Sequence, residues 1–116
     1  MIPLVRVLDE HIGPTAVVTV DGEIDASNAR DVGERLRGSM TNHSHDLVVD
    51  LTETTYIDSA GLNLLFALDL ELTERRQRLL LVIRPGSSVA RVAAITGLDP
   101  TVATHPTRDE ALAAAR

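Results

Sequence analysis

Apolar positions recur in two rhythms along this chain. Two stretches rich in Val and Leu, residues 4–9 and 15–20, read as strands, and Gly13-Pro14 between them suits a hairpin at a sheet edge. Asp21-Gly22-Glu23-Ile24-Asp25 has the composition of a turn. Ala29, Val32, Leu36 and Met40 then return at helical spacing, predicting an amphipathic helix over roughly 27–40 opened by Asp25 or Ser27. Polar Thr41-Asn42-His43-Ser44-His45 closes it.

The second half alternates between the two element types. Residues 46–51 read as a strand, about 59–76 as a helix, and 79–83 (Leu79-Leu80-Leu81-Val82-Ile83) as a strand apolar on both faces. Such strands are typical of parallel sheets covered by helices. Pro85-Gly86-Ser87-Ser88 opens a helix that carries Val89, Val92 and Ala93 and stops at Gly97. A short strand near 101–104 follows, and Thr107-Arg108-Asp109-Glu110 reads as a capping box for a final Ala-rich helix.

This order implies an α/β sandwich with a mostly parallel central β-sheet of about 4–5 strands and about 4 α-helices. In open α/β sheets, sites gather beyond the C-terminal ends of parallel strands. Three segments leave such ends here, 21–25, 52–59 and 84–88, and they should share one edge of the domain.

Composition narrows the function. At 116 residues the chain reads as one domain. Its apolar residues are almost wholly aliphatic, with one Phe and one Tyr, so stacking platforms for single-stranded nucleic acid are missing. A net charge of −6 argues against nucleic acid or an anionic membrane as partner. With no Cys, thiol chemistry and thiolate metal sites are excluded. Met1-Ile2-Pro3-Leu4-Val5-Arg6 lacks the apolar run of a signal peptide, and no stretch reaches membrane-span length. A soluble, cytoplasmic protein is expected.

The richest stretch runs from Asp50 through Ile57-Asp58-Ser59-Ala60-Gly61-Leu62, where a strand passes through a polar loop into a long apolar helix. Asp58 and Ser59 sit where backbone N–H groups lack partners and the helix dipole favours negative charge. Simple capping is the commoner use of these residue types there. The other use is a covalent switch, since a phosphoryl group at this place adds about −1.5 to −2 charge without opposing the helix. Gly61 costs the helix about 1 kcal/mol relative to Ala, which suggests that something approaches the backbone closely.

The helix carries Leu62, Leu64, Leu65, Phe66, Leu68, Leu70 and Leu72, more than one face can hold. Either it packs on two sides, or Leu62, Leu64 or Phe66 is partly exposed as a docking patch. Asp21, Glu23 and Asp25 could hold Mg²⁺ but more often such acids are solvated turn residues. His43 and His45 have no third ligand, so no metal is expected. Ser87 and Ser88 read as caps. No phosphate-binding loop, dinucleotide fingerprint or nucleophile elbow occurs, so neither an enzyme nor a cofactor is expected.

These residues resemble the STAS domain of bacterial anti-sigma factor antagonists. Asp21 to Asp25, Val49-Asp50-Leu51, Ile57 to Leu62 and the segment from Thr107 to Ala113 carry the likeness, over nearly all of 1–116. It implies a STAS-like sandwich forming a single STAS domain that binds an anti-sigma factor, often itself a serine kinase, and so frees a sigma factor for transcription. It implies phosphorylation at Ser59 with Asp25 and Asp58 as neighbours, reversal by a phosphatase, and partner contacts at Ser59, Ala60, Gly61, Leu62 and Asn63. Ala60 stands where many members have a second Ser. A monomer or weak dimer is expected. Two other readings stay open: a STAS subunit of a transport or stress-sensing complex with Ser59 unmodified, and a small nucleotide-hydrolysing enzyme using Asp25 and Asp58.

Overall fold

The computed structural model describes residues 5–115. Its core is a six-stranded mixed sheet: β1 (Val5–Ile12), β2 (Thr15–Ile24), β3 (Asp46–Asp50), β4 (Thr54–Ile57), β5 (Arg78–Val82) and β6 (Ala103–His105). Five helices accompany it: α1 (Ala29–Gly38), α2 (Ser59–Glu74), α3 (Ser88–Thr96), α4 (Leu98–Thr101) and α5 (Arg108–Ala114). The sheet order is β1-β2-β3-β5-β6, with β4 alongside β2. Only the β1–β2 hairpin is antiparallel, and all other pairings are parallel. The expected class therefore holds, with one more strand and one more helix than the sequence suggested.

Alternation along the strands builds two layers. Ala16, Val18, Val20, Leu47, Val49, Leu79 and Leu81 point into the larger core beneath α1, α2 and α3. Val17, Val48, Leu80 and Val82 point the other way, onto Ala111 of α5. Burying a side chain such as Leu65, Leu68 or Leu81 contributes about 1.5–3 kcal/mol relative to leaving it exposed.

Several boundaries move. The hairpin forms as expected, but its strands reach Ile12 and Ile24, and Leu4 and the residues before it lie outside the described ones. The segment from Asp21 to Ile24 is no turn. It is the second half of β2, which pairs with β3 over Thr15–Thr19 and with β4 over Gly22–Ile24, with a register shift at Gly22/Glu23. The positive φ of Gly22, 118°, fits that irregularity. The stretch from Thr52 to Ser59, read as loop, contains β4. β3 and β4 both run parallel to β2, and a short bend held by Asp50 joins them: Asp50 Oδ1 accepts from the Thr52 amide and hydroxyl, at 2.9 and 2.7 Å.

The same Asp50 meets α5: Arg108, opening that helix, forms an ion pair with Glu10 and another with Asp50, and donates to the Thr19 hydroxyl. One guanidinium thus ties α5 to β1, β2 and β3.

Candidate functional site

The loops after β2, β4 and β5 meet along one edge, as the topology predicts. The Asp58 amide donates to the Ile24 carbonyl at 3.2 Å, and the Ser88 hydroxyl donates to the Thr55 carbonyl at 3.3 Å. Leu51 N–H donates to the Val82 carbonyl at 2.8 Å. β4 carries the chain to this edge, and α2 leaves from it.

Asp58, not Ser59, is the N-cap. Its extended backbone lets Oδ1 accept from the Ala60 and Gly61 amides at 2.9 and 3.1 Å. Its second oxygen, Oδ2, accepts from the Ala26 amide at 3.1 Å. One carboxylate therefore closes α2 and clasps the loop after β2. Ser59 is the first residue of the helix, exposed, and its hydroxyl has no hydrogen-bond partner among the described residues. Capping thus falls to Asp58 and leaves the neighbouring hydroxyl uncommitted.

Asp25 lies in the clasped loop. It opens no helix: α1 starts at Ala29, two residues later than expected, because residues 25–28 lock one another. Asp25 Oδ1 accepts from the Ser27 amide and hydroxyl, and the Asp25 amide donates to Asn28 Oδ1 at 3.0 Å. The Asn28 side-chain amide donates onward to the Glu23 carbonyl at 2.8 Å. Donation from Ser27, hydroxyl first and amide second, holds the Asp25 carboxyl below the usual carboxylate range. With Glu23 and Asp58 it makes this edge acidic.

The remaining site candidates divide by burial. Asn63 is exposed and Ala60 half-buried, whereas Gly61 and Leu62 turn inward. What approaches Gly61 is the protein's own core: a Cβ there would stand 2.6 Å from Ile57 Cγ1 and 2.9 Å from Ile24 Cγ2. Leu65, Leu68 and Leu72 are buried, Leu64 and Phe66 are half-buried against the core, and Leu70 is 62 % exposed. Of the three residues that the docking-patch reading named, Leu62 is thus buried and Leu64 and Phe66 are partly exposed.

Ser87 caps α3 through the Ala90 amide, while Ser88 bonds to Thr55 instead. Among the described residues no group of three or more His, Asp or Glu is placed to hold a metal ion; His43 and His45 are exposed. No helix among them is long and apolar enough to cross a membrane.

Sequence reasoning passed over Tyr56. It is 50 % exposed and stands in register with Glu23, two residues before the cap. Its signal was Thr54-Thr55-Tyr56-Ile57, four consecutive strand formers inside what looked like a loop.

Comparison with known proteins follows this geometry. A family model of the STAS domain matches residues 6–111. The solved structure of an anti-sigma factor antagonist from Mycobacterium paratuberculosis is 31% identical, with TM-score 0.86, over 97% of this chain and 94% of that one. The Bacillus cell fate determinant SpoIIAA in its phosphorylated form shares the fold, with TM-score 0.68 at 21% identity over 96% of this chain and 100% of that one. Osmosensory protein A of Mycobacterium tuberculosis is 40% identical over 53 residues, a match covering 46% of this chain and 33% of that protein. Its match thus spans about a third of that relative's length.

Proposed function

The chain belongs to the STAS domain family, and we propose that it is an anti-sigma factor antagonist switched off by phosphorylation at Ser59. In this reading the unmodified protein docks onto an anti-sigma factor through the edge formed by Ser59, Ala60 and Asn63, with Tyr56 beside them. Gly61 and Leu62 shape that edge from beneath. The anti-sigma factor, or a kinase associated with it, transfers the γ-phosphoryl group of ATP to the Ser59 oxygen. The hydroxyl proton is released, ADP leaves, and a phosphatase later hydrolyses the ester.

The observation that carries this reading is the division of labour at 58 and 59. The capping hydrogen bonds all end on Asp58, so a phosphoryl group on Ser59 displaces none of them. Phosphate at a helix N-terminus gains about 0.3–1 kcal/mol. Like charges pressed together across an interface cost several kcal/mol, and Asp25 and Asp58 already make the edge negative. The second effect exceeds the first. Modification therefore abolishes docking and leaves the fold intact.

Incubation with candidate anti-sigma kinases and ATP, followed by mass spectrometry and pull-down, tests this. Expected are modification at Ser59, a Ser59→Ala protein that still binds, and a Ser59→Asp protein that binds poorly. Equal binding by all three forms would defeat the switch. The partial match to an osmosensory protein favours one second reading, a subunit of a stress-sensing assembly with Ser59 unmodified. Stable capture in such an assembly with no phosphate on Ser59 would support it.

A further inference from the structure

We infer that two copies of this chain pair edge to edge through β1, antiparallel, with Leu8 on the two-fold axis. β1 is the edge strand of the sheet, eight residues long, and among the described residues only β2 pairs with it. Leu8 and Ile12 are 59 % and 48 % exposed on it. Their register with Thr19 and Thr15 of β2, next to Val17 opposite Glu10, puts Arg6, Leu8, Glu10 and Ile12 on the α5 side of the sheet. There α5 packs over β3, β5 and β6, and the apolar side chains of β1 stay uncovered beside it. A strand edge without a second strand is a template for one, and natural proteins ordinarily blunt it with charge, as Arg35 does here at the Val7 carbonyl.

Here the charges are arranged as a palindrome. With Leu8 on the axis, Arg6 of each copy stands opposite Glu10 of the other, Val7 opposite Asp9, and Val5 opposite His11. Opposite residues of an antiparallel pair share a face and stand about 4.5–5.5 Å apart, within ion-pair reach. Arg6 has no hydrogen-bond or ion-pair partner among the described residues. Glu10 holds Arg108 through Oε1, which leaves Oε2 for a second cation. On the opposite face Arg35 donates to the Val7 carbonyl and lies 3.3 Å from Asp9 of its own chain. The second copy's Asp9 arrives beside that same Val7, within range of the same guanidinium.

The neighbouring registers are worse. Moving the axis to Asp9 or Glu10 sets acid against acid, and moving it to Arg6 sets cation against cation. Moving it to Val7 leaves every charge without a counterpart. Like charges directly opposed are destabilising, so the sequence of β1 selects one register. The occupant of this edge is a second copy of this chain, because a copy supplies the complementary order of charges. The pairing is independent of Ser59.

Sedimentation equilibrium on the full chain from micromolar to millimolar concentration tests the inference. A concentration-dependent dimer is expected. Arg6→Glu, at an exposed residue without polar contacts among the described residues, should raise its dissociation constant at least about tenfold. Glu10→Arg should do the same. A mixture of the two variants should form a heterodimer, since positions 6 and 10 are both acidic in one variant and both basic in the other. Circular dichroism melting checks that Glu10→Arg folds without its Arg108 contact; if it does not, Arg6→Glu together with Leu8→Asp decides. A wild-type protein monomeric throughout, or a dimer indifferent to both Arg6→Glu and Leu8→Asp, would overturn the inference.

Discussion

The two ends of α2 are built differently. At the C-terminal end the Gln77 backbone and side-chain amides are committed to structure. The chain turns back at Arg76, which takes φ 59°, and the Gln77 amide donates to the Leu72 carbonyl at 2.8 Å. The Gln77 side chain ties the turn to the Thr41 and Ser44 carbonyls at 3.2 and 2.8 Å. At the N-terminal end one carboxylate does the closing, and the adjacent hydroxyl is left over. An end in which the groups are engaged cannot be modified without loss of stability. An end with a spare group can. In the proposed switch, the spare hydroxyl is the group that carries the signal.

Substitutions along α2 sharpen that contrast. Leu65→Ala, in the buried middle that both ends share, should have the largest effect, lowering stability by about 2–5 kcal/mol in chemical denaturation. Gly61→Ala comes next. Its methyl group would press on the stiff Ile57 and Ile24 side chains, and a loss of about 1–3 kcal/mol is expected in the same assay. Asp58→Ala removes the cap and the clasp on Ala26 and should cost about 0.5–2 kcal/mol. It should also loosen the loop from Asp25 to Asn28, read as faster amide hydrogen exchange at Ala26.

Arg76→Gly relieves the left-handed backbone at the other end and should raise stability by up to about 1 kcal/mol in thermal melts. Ser59→Ala should change stability by less than about 0.5 kcal/mol. A Ser59→Ala loss as large as that of Asp58→Ala would erase the distinction between the two ends.

Much of this was legible from the residues. Val32 and Leu36 marked α1, the all-apolar run from Leu79 to Val82 marked a strand covered on both faces, and Thr107 marked the start of α5, where its hydroxyl accepts from the Glu110 amide. These elements follow from local periodicity and capping, which one segment carries by itself. The second half of β2 and all of β4 did not show. Asp21-Gly22-Glu23 has turn composition, and it becomes strand because a distant segment pairs with it: the Gly22 amide donates to the Glu53 carbonyl at 3.1 Å, and the buried Thr54 hydroxyl donates to the Val20 carbonyl at 2.8 Å. The four-residue α4, which contains Asp99 and Pro100, likewise gave no periodic signal.

At the site, the sequence located the edge and its acids but could not divide the work between Asp58 and Ser59. Both are good caps. The choice depends on the approach of the Ala26 amide from across the sheet, which gives the aspartate a third donor that a single hydroxyl oxygen would serve less well.

The Arg108 clasp bears on how the molecule is made. Its partner Glu10 lies 98 positions earlier in the chain, so the β1–β2 hairpin is fastened by α5 only once Arg108 has been made. Until then the Asp50 carboxylate, almost entirely enclosed in the finished protein, has no guanidinium beside it. Arg108 therefore locks this domain late, and nascent forms stalled before it should be the ones that chaperones and proteases recognise.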